Sequence, residues 1–288
     1  MKYAVTAATG RLGSTVIDNL VKLVGAENVV AIARNEEKAK KMLPAEVKVR
    51  TADYTNNSQL VSAFHGVDRV LFISSQPGQE VSRAQQHTTV VEALREAQVP
   101  FVAYTSFPDA PHATSALADD HKLTEKLLDE SGLTHSVVRN NWYLENDLGF
   151  LQAGLSGLAT YWANGRTGWA LEAEYAEGAA RVLVAENPKP VYEFGGQLRT
   201  YAQLGEELNV ALREHGKPAA QVEQISQADY QAGLVKNAHV DEATAALFAS
   251  FQEPANSGSL EVASNDLPEV LGHELTAMPQ AIAQLLSL

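Results

Sequence analysis

The sequence predicts an α/β fold in which a doubly wound parallel sheet carries a smaller C-terminal α/β lobe. Three observations predict it. Short apolar runs alternate with helical patterns through the first half of the chain. Most of these runs are apolar at nearly every position, as strands covered on both faces are. The first run leads straight into a glycine-bearing turn, AATGRLG at residues 7–13.

The first strand is Tyr3 to Thr6, followed by a helix over Thr15 to Leu23. Val29 to Ala33 precedes the helix Glu36 to Leu43, and Val47 to Thr51 precedes Ser58 to Phe64. Val70 to Ile73 leads into the long helical stretch Val81 to Ala97, Phe101 to Tyr104 into Ala118 to Glu130, and Thr134 to Val138 closes the series. Six strands joined by crossover helices define a Rossmann-like sheet. Past about residue 150 the alternation stops. Gly154, Gly157, Gly165 and Gly168 punctuate a loop-rich section, followed by a helix near Tyr175 to Ala185 and the strand Val191 to Phe194. Helices are expected near Tyr201 to Arg213, Gln227 to Lys236, Asp241 to Phe251 and Met278 to Leu286. The expected division is a sheet domain over 1–150 and a lobe over 151–288 folded onto the sheet's carboxyl edge, where ligands of open α/β sheets bind.

The 288 residues include 22 Lys and Arg against 35 Asp and Glu, a formal charge of −13, which argues against nucleic acid as a partner. With no cysteine, disulfides, thiolate nucleophiles and Cys-ligated metals are excluded. The eight histidines form no metal-binding spacing, so no metal is expected. A strand this close to residue 1 leaves no room for a signal peptide, and no apolar run reaches the roughly 18–20 residues of a membrane span. The expectation is a cytoplasmic enzyme without membrane insertion, and a homodimer is compatible with it.

The helix starting near Arg11 aims unpaired N–H groups and its positive dipole end at the turn, which suits a pyrophosphate. Gly10 admits backbone angles closed to other residues, and Gly13 lets the helix lie close to the strands. A tight turn without ligand is the alternative. The second strand ends in Ala31-Ile32-Ala33-Arg34-Asn35. An acidic residue in this slot favours the ribose of NAD, whereas a basic one accommodates the 2′-phosphate of NADP. Arg34, with Lys38 one turn later, therefore favours NADPH over NADH, unless Arg34 is a solvated helix-start residue partly neutralised by Glu36 and Glu37. Asp53-Tyr54, Ser74-Ser75-Gln76-Pro77 and Tyr104-Thr105-Ser106-Phe107 end the next three strands and supply polar groups for an extended cofactor or, equally, ordinary turns.

AVTAATGRLG, AIARNEEKA, VRTADY, LFISS, AYTS, DDHKLTEKLL and VVRNNWYLEN resemble, in order and spacing, the NmrA-like atypical short-chain dehydrogenases. Within that family the bacterial NAD(P)H:quinone oxidoreductases of type 2 are nearest and the triphenylmethane reductases next. The resemblance spans about the whole chain and is densest over residues 3–146. It implies that Thr6, Ala7, Ala8, Thr9, Gly10, Arg11, Leu12 and Gly13 form the phosphate loop, that Arg34 meets the 2′-phosphate, and that Ser74 to Gln76 line the cofactor groove. It places Asn140, Trp142 and Tyr143 beside the nicotinamide, on the substrate side, and suggests that Lys126 hydrogen-bonds the nicotinamide ribose. An exposed Lys126 paired with Glu130 is the alternative. Relatives usually carry glycine at the positions of Ala7 and Asn141; these departures put in question the approach to the pyrophosphate and the width or polarity of the substrate pocket.

Short-chain dehydrogenases that reduce ordinary ketones use Tyr-x-x-x-Lys, but counting back from Lys126 reaches Lys122, and no tyrosine lies between Ser106 and Ser136. An alkoxide would form with little general-acid help. A quinone makes no such demand, because hydride addition leaves a charge delocalised into an aromatic ring. Trp142, Tyr143, Phe107 and Trp162 offer flat surfaces on which to stack it, with core packing as the other use of these rings. His121 and His112 are candidate proton donors without a diagnostic spacing. The expected function is NADPH-dependent hydride transfer to a quinone or similar flat electrophile. The alternative is a non-catalytic NADP(H)-binding redox sensor of the NmrA type, for which an exposed apolar patch on the second lobe would count.

Overall fold

Strands that are apolar on both faces need helices on both sides, and the computed structural model, which describes every residue except Pro77, Gln79 and His239, arranges the chain in that way. The strands are β1 (Tyr3–Val5), β2 (Val29–Ala33), β3 (Lys48–Thr51), β4 (Arg69–Phe72), β5 (Phe101–Ser106), β6 (His135–Asn140), β7 (Leu158–Tyr161), β8 (Val191–Phe194) and β9 (Gln221–Gln224). Seven form one parallel sheet in the order β3-β2-β1-β4-β5-β6-β8, while β7 and β9 form a small parallel pair. The order reverses between β1 and β4. That reversal opens the crevice where ligands of doubly wound sheets sit.

The helices are α1 (Arg11–Val24), α2 (Glu36–Met42), α3 (Asn57–Phe64), α4 (Arg83–Glu96), α5 (Asp119–Ser131), α6 (Leu148–Leu155), α7 (Glu172–Val184), α8 (Tyr201–Glu214), α9 (Gln227–Ala238), α10 (Glu242–Ser250), α11 (Glu253–Asn256), α12 (Asp266–Leu271) and α13 (Met278–Leu286). One sheet face buries its side chains against α1, α7 and α12, the other against α3, α4 and α5. A third core joins α6, α8, α13 and β7.

Division at residue 150 does not describe this packing. The chain leaves the sheet after β6 but returns to it: α7 packs on α1, β8 extends the sheet beyond β6, and α12 closes over α7. The strand at Val191–Phe194 was expected in the lobe; its true partner is β6, with Val137 opposite Val191 and Asn140 opposite Phe194. A buried ion cluster locks the junction. Arg139 on β6 donates to both carboxylate oxygens of Glu125 on α5, at 3.0 and 2.7 Å, and to Glu193 on β8 at 2.8 Å. The loop-rich section after residue 150 also contains a helix, α6, whose Phe150 and Leu151 are buried in the lobe core.

The turn after β1 shows why α1 lies where it does. A Cβ on Gly13 would stand 2.4 Å from the Ala7 carbonyl oxygen and 3.0 Å from the Ala8 Cα, so helix and strand can approach only without it. Gly10 has no such need, since its φ is −78° and a Cβ there would meet Ala7 O at an ordinary 3.4 Å. The left-handed residue is Ala7 itself, with φ +48°. Gly13→Ala should therefore lower the unfolding free energy by about 1–3 kcal/mol, read as a reduced midpoint in denaturant or heat; an unchanged midpoint would contradict the close approach.

Candidate active site

The turn after β1 divides into a buried half and an exposed half. Thr6 is fully buried, and its hydroxyl oxygen accepts from Ile73 N–H at 3.0 Å and from the Tyr54 hydroxyl, stitching β1 to β4 at the reversal point. Ala8 and Leu12 belong to the core. Ala7, Thr9, Gly10 and Arg11 remain accessible, so Thr6, Ala8, Leu12 and Gly13 hold the turn while the others face outward. Gly10 offers no side-chain cap to α1, and the first intrahelical bond runs from Ser14 N–H to Gly10 O. The N–H groups of the first turn thus have no intrahelical acceptor.

From this turn a groove of about 240 Å³ crosses the ends of β2, β3 and β4, lined by Ala7, Thr9, Gly10, Arg34, Lys38, Asp53, Ser74, Ser75 and Gln76 among others. Arg34 stretches along its rim with its side chain 70 % exposed, and its Nε lies 3.9 Å from Asp53 Oδ2. Glu36 does not neutralise it, because Glu36 is paired with Lys40 at 2.6 Å. Asn35 caps α2 by accepting from Lys38 N–H at 2.8 Å, and this fixes the turn from which Lys38 reaches the same groove. Asp53 is held by Thr55, whose N–H and hydroxyl both donate to its Oδ1. Pro77 lies outside the described residues.

The groove floor is set from behind by buried polar side chains: Thr105, expected to line the groove, is buried and supports it, and His87 and Thr124 do so without any sequence signal. Ser74 N–H donates to Thr105 Oγ1 and Ser75 N–H to His87 Nε2, each at 3.0 Å. Since His87 Nε2 accepts, its proton sits on Nδ1 and donates to Thr124 Oγ1 at 2.7 Å, while the Thr124 hydroxyl donates to Asp120 O. Burial, seconded by the Arg83 cation, lowers the His87 pKa to about 3, so the ring is neutral. His121 is neutral for the same two reasons, with Arg83 donating to its Nε2 at 3.1 Å and Tyr104 against its Nδ1. His121 is therefore a structural link rather than the expected proton donor. His112 is an exposed partner of Asp109.

At the end of β6 the structure brings Asn140, Trp142 and Tyr143 together. Asn140 Nδ2 donates to the Tyr143 hydroxyl at 3.0 Å, and the Tyr143 ring lies 4.9 Å from that of Tyr175. Burial raises the Tyr143 pKa, so its phenol stays protonated. Asn140 Oδ1 is buried without any partner, an arrangement that normally carries a cost unless a ligand supplies one; the Trp142 indole N–H, by contrast, lies beside the buried Asp147 carboxylate of the lobe core. Asn141 neither narrows nor polarises this region. Its amide donates to Leu260 O and accepts from Gly168 N–H and Trp142 N–H, pinning the lobe to the strand end.

Four expectations need correction. Lys126 faces solvent with its side chain 70 % exposed, 3.7 Å from Glu130, because His121, Thr124, Glu125 and Leu128 define the inward face of α5. The residue after Glu125 is turned by about 100° from it. Ser106 is buried and donates to Glu125 at 2.5 Å, so its hydroxyl serves the Arg139 cluster instead of the groove. Trp162 is a core residue, its indole N–H donating to Ala249 O at 2.9 Å. Phe107 is likewise packed in the lobe core.

A family model described as NAD(P)H-binding matches residues 7–156, more than half of the chain. The chain belongs to the NAD(P)H-binding family. It is 38 % identical over 287 residues to quinone oxidoreductase 2 of Escherichia coli K12, covering 98 % of each chain. The crystal structure of the E. coli NADPH-dependent quinone oxidoreductase in complex with NADPH superposes with a TM-score of 0.88 at 36 % identity over 99 % of both chains. The Citrobacter sp. triphenylmethane reductase in complex with NADP(H) gives 0.90 at 32 % identity, over 99 % of this chain and 100 % of that one. The residues of the carboxyl edge fit the family's dinucleotide: a start of α1 that Gly10 leaves without a side-chain cap, two cations at Arg34 and Lys38, and an unpartnered Asn140 Oδ1. Among the described residues no helix is long and apolar enough to cross a membrane, and no three His, Asp or Glu side chains gather as a metal site.

Two outcomes follow from the strained turn and the buried rings. Ala7→Gly should raise stability by about 1 kcal/mol, because the left-handed region costs an L-residue roughly that much; an unchanged or lowered melting temperature would show that Ala7 is unstrained. His87 titrates near 6.5 when unfolded and about 3 when folded. Its contribution is therefore complete above pH 6.5 and is lost as pH falls through that window, at up to about 1.4 kcal/mol per pH unit. Chemical denaturation from pH 6.5 to 5 should show this slope, and His87→Gln should reduce it; an identical slope in the variant would contradict the assignment.

Proposed function

We propose that the protein is an NADPH-dependent oxidoreductase that passes hydride to a quinone or a similarly flat, small-molecule electrophile. The observation that carries the reading is the continuous carboxyl edge. The cationic rim at Arg34 and Lys38, the start of α1 and the unpartnered Asn140 Oδ1 lie at the ends of β2, β1 and β6, on one edge of the sheet. When bound, the cofactor supplies hydride from nicotinamide C4. Arg34 and Lys38 hold the adenosine end and select its 2′-phosphate by charge. Gly10 and Arg11 receive the diphosphate, and Ser74 to Gln76 line its path. Asn140 orients the reacting ends with its free Oδ1, while Tyr143 fixes the Asn140 amide.

Among the described residues, nothing beside Asn140 is poised as a strong general acid. His121 is locked neutral within the core, Lys126 points to solvent, and the buried Tyr143 phenol has a raised pKa. This suits an acceptor whose reduced form spreads its charge over a ring and takes its proton from water. A homodimer is compatible with this reading, and the expected compartment is the cytoplasm.

A non-catalytic NADP(H) sensor is the second reading, and one observation favours it. Leu247, Phe248 and Phe251 at α10, with Val235 on α9, expose apolar surface on the lobe. Equal affinity for NADP⁺ and NADPH without turnover of any acceptor would support that reading.

Purified protein should oxidise NADPH with at least one member of a benzoquinone panel, and rates no higher than a no-enzyme control with all of them would contradict catalysis. Arg34→Ala should weaken NADPH by about 1–2 kcal/mol, the lower range for an exposed charge-assisted pair, with little change for NADH. Equal weakening of both would show that Arg34 does not read the phosphate.

A further inference from the structure

The N-terminus of α1 already meets a carboxylate of the same chain. Because α7 packs against α1, its first residue, Glu172, arrives at the diphosphate turn. The Glu172 side chain is only 11 % exposed; its Oε2 lies 3.1 Å from an Arg11 guanidinium nitrogen, and the nearby Leu12 N–H favours its charged form. Those are the groups a dinucleotide diphosphate would engage at a helix N-terminus. A carboxylate and a diphosphate cannot both take them, since two anions at that separation repel strongly in a partly buried site.

We infer that Glu172 is an internal competitor for the cofactor: its carboxylate holds the Arg11–Leu12 turn and must be displaced by the diphosphate, so Glu172 sets dinucleotide affinity independently of the 2′-phosphate selection at Arg34. The inference rests on the NADP(H) reading above. Three neighbours share the environment of Glu172. Arg11 on α1 stabilises its charge, Glu145 accepts from the Glu172 N–H at 2.9 and 3.1 Å and opposes that charge, and the protonated Tyr143 phenol lies at the end of β6. Burial raises the Glu172 pKa against the pull of Arg11, so the competitor weakens as pH falls. Glu145, not the Glu172 side chain, satisfies the first N–H of α7, and the neutral isostere therefore leaves the helix start intact.

Titration of the cofactor-free protein with NADP⁺, NADH and adenosine 2′-monophosphate tests the inference. Glu172→Gln should bind NADP⁺ and NADH each about tenfold more tightly at pH 7.5, the effect of removing roughly one interacting charge. Adenosine 2′-monophosphate, which has no diphosphate, should bind both forms equally. The advantage of the variant should shrink towards acidic pH as wild-type Glu172 takes up a proton. Glu172→Ala should move affinity in the same direction, which guards against an effect peculiar to glutamine. Unchanged or weaker NADP⁺ binding in both variants overturns the inference while leaving the cofactor reading standing, and so does an equal gain for adenosine 2′-monophosphate. Failure of NADP⁺ to bind any form overturns the cofactor reading and the inference with it.

Discussion

The approach of α1 to the end of β1 is the constraint on which the site depends. Only a residue without a side chain fits at Gly13, because the Ala7 carbonyl stands where a Cβ would go. That carbonyl also accepts Gly10 N–H at 2.9 Å, and Ala7 takes up a left-handed conformation that glycine would adopt more easily. The first turn of α1 is thereby held at the carboxyl edge with no cap from Gly10, beside the reversal in strand order that opens the crevice. Backbone strain at one alanine is a small cost against the packing of a whole helix on the sheet.

Charge is distributed along this edge with a sign suited to each part. The protein as a whole is strongly acidic, yet Arg34 and Lys38 stand together at one end of the groove and Arg11 at the helix N-terminus. The acidic neighbours of these cations are few, specific and placed by the fold: Asp53 is tied to Thr55 at the edge of the groove, and Glu172 is delivered by α7. Behind the groove, neutral His87 and His121 relay hydrogen bonds without adding charge beneath a ligand that carries several negative groups.

Much of the fold was legible because its signal is local. Most of the first six strands are apolar on both faces, the edge strand β3 excepted, and the first five are each followed by a helix, so the alternation can be read from windows of ten residues. The place of β8 was not legible, since its pairing with β6 joins segments more than fifty residues apart and depends on the buried cluster of Arg139, Glu125 and Glu193. The helix α6 was hidden by Gly154 and Gly157, which read as loop punctuation although Phe150 and Leu151 are buried. In the site, Arg34 was visible because the end of β2 has a fixed relation to the adenosine ribose. Lys126 misled because a motif position says nothing of helical phase, and His87 and Glu172 were invisible because only tertiary packing brings them to the groove. The glycine usual at position 141 is replaced by an asparagine whose hydrogen bonds are all structural, a use no local pattern announces.

The central claim is that one edge of the sheet holds NADP(H) by its diphosphate at the start of α1 and by its 2′-phosphate beside Arg34. A crystal structure of the protein soaked with NADPH tests this most directly. The account predicts the diphosphate against the N–H groups of the first turn of α1, the 2′-phosphate between Arg34 and Lys38, and the nicotinamide beside Asn140 and Trp142. A dinucleotide bound elsewhere, or with its 2′-phosphate turned away from both cations, would contradict it.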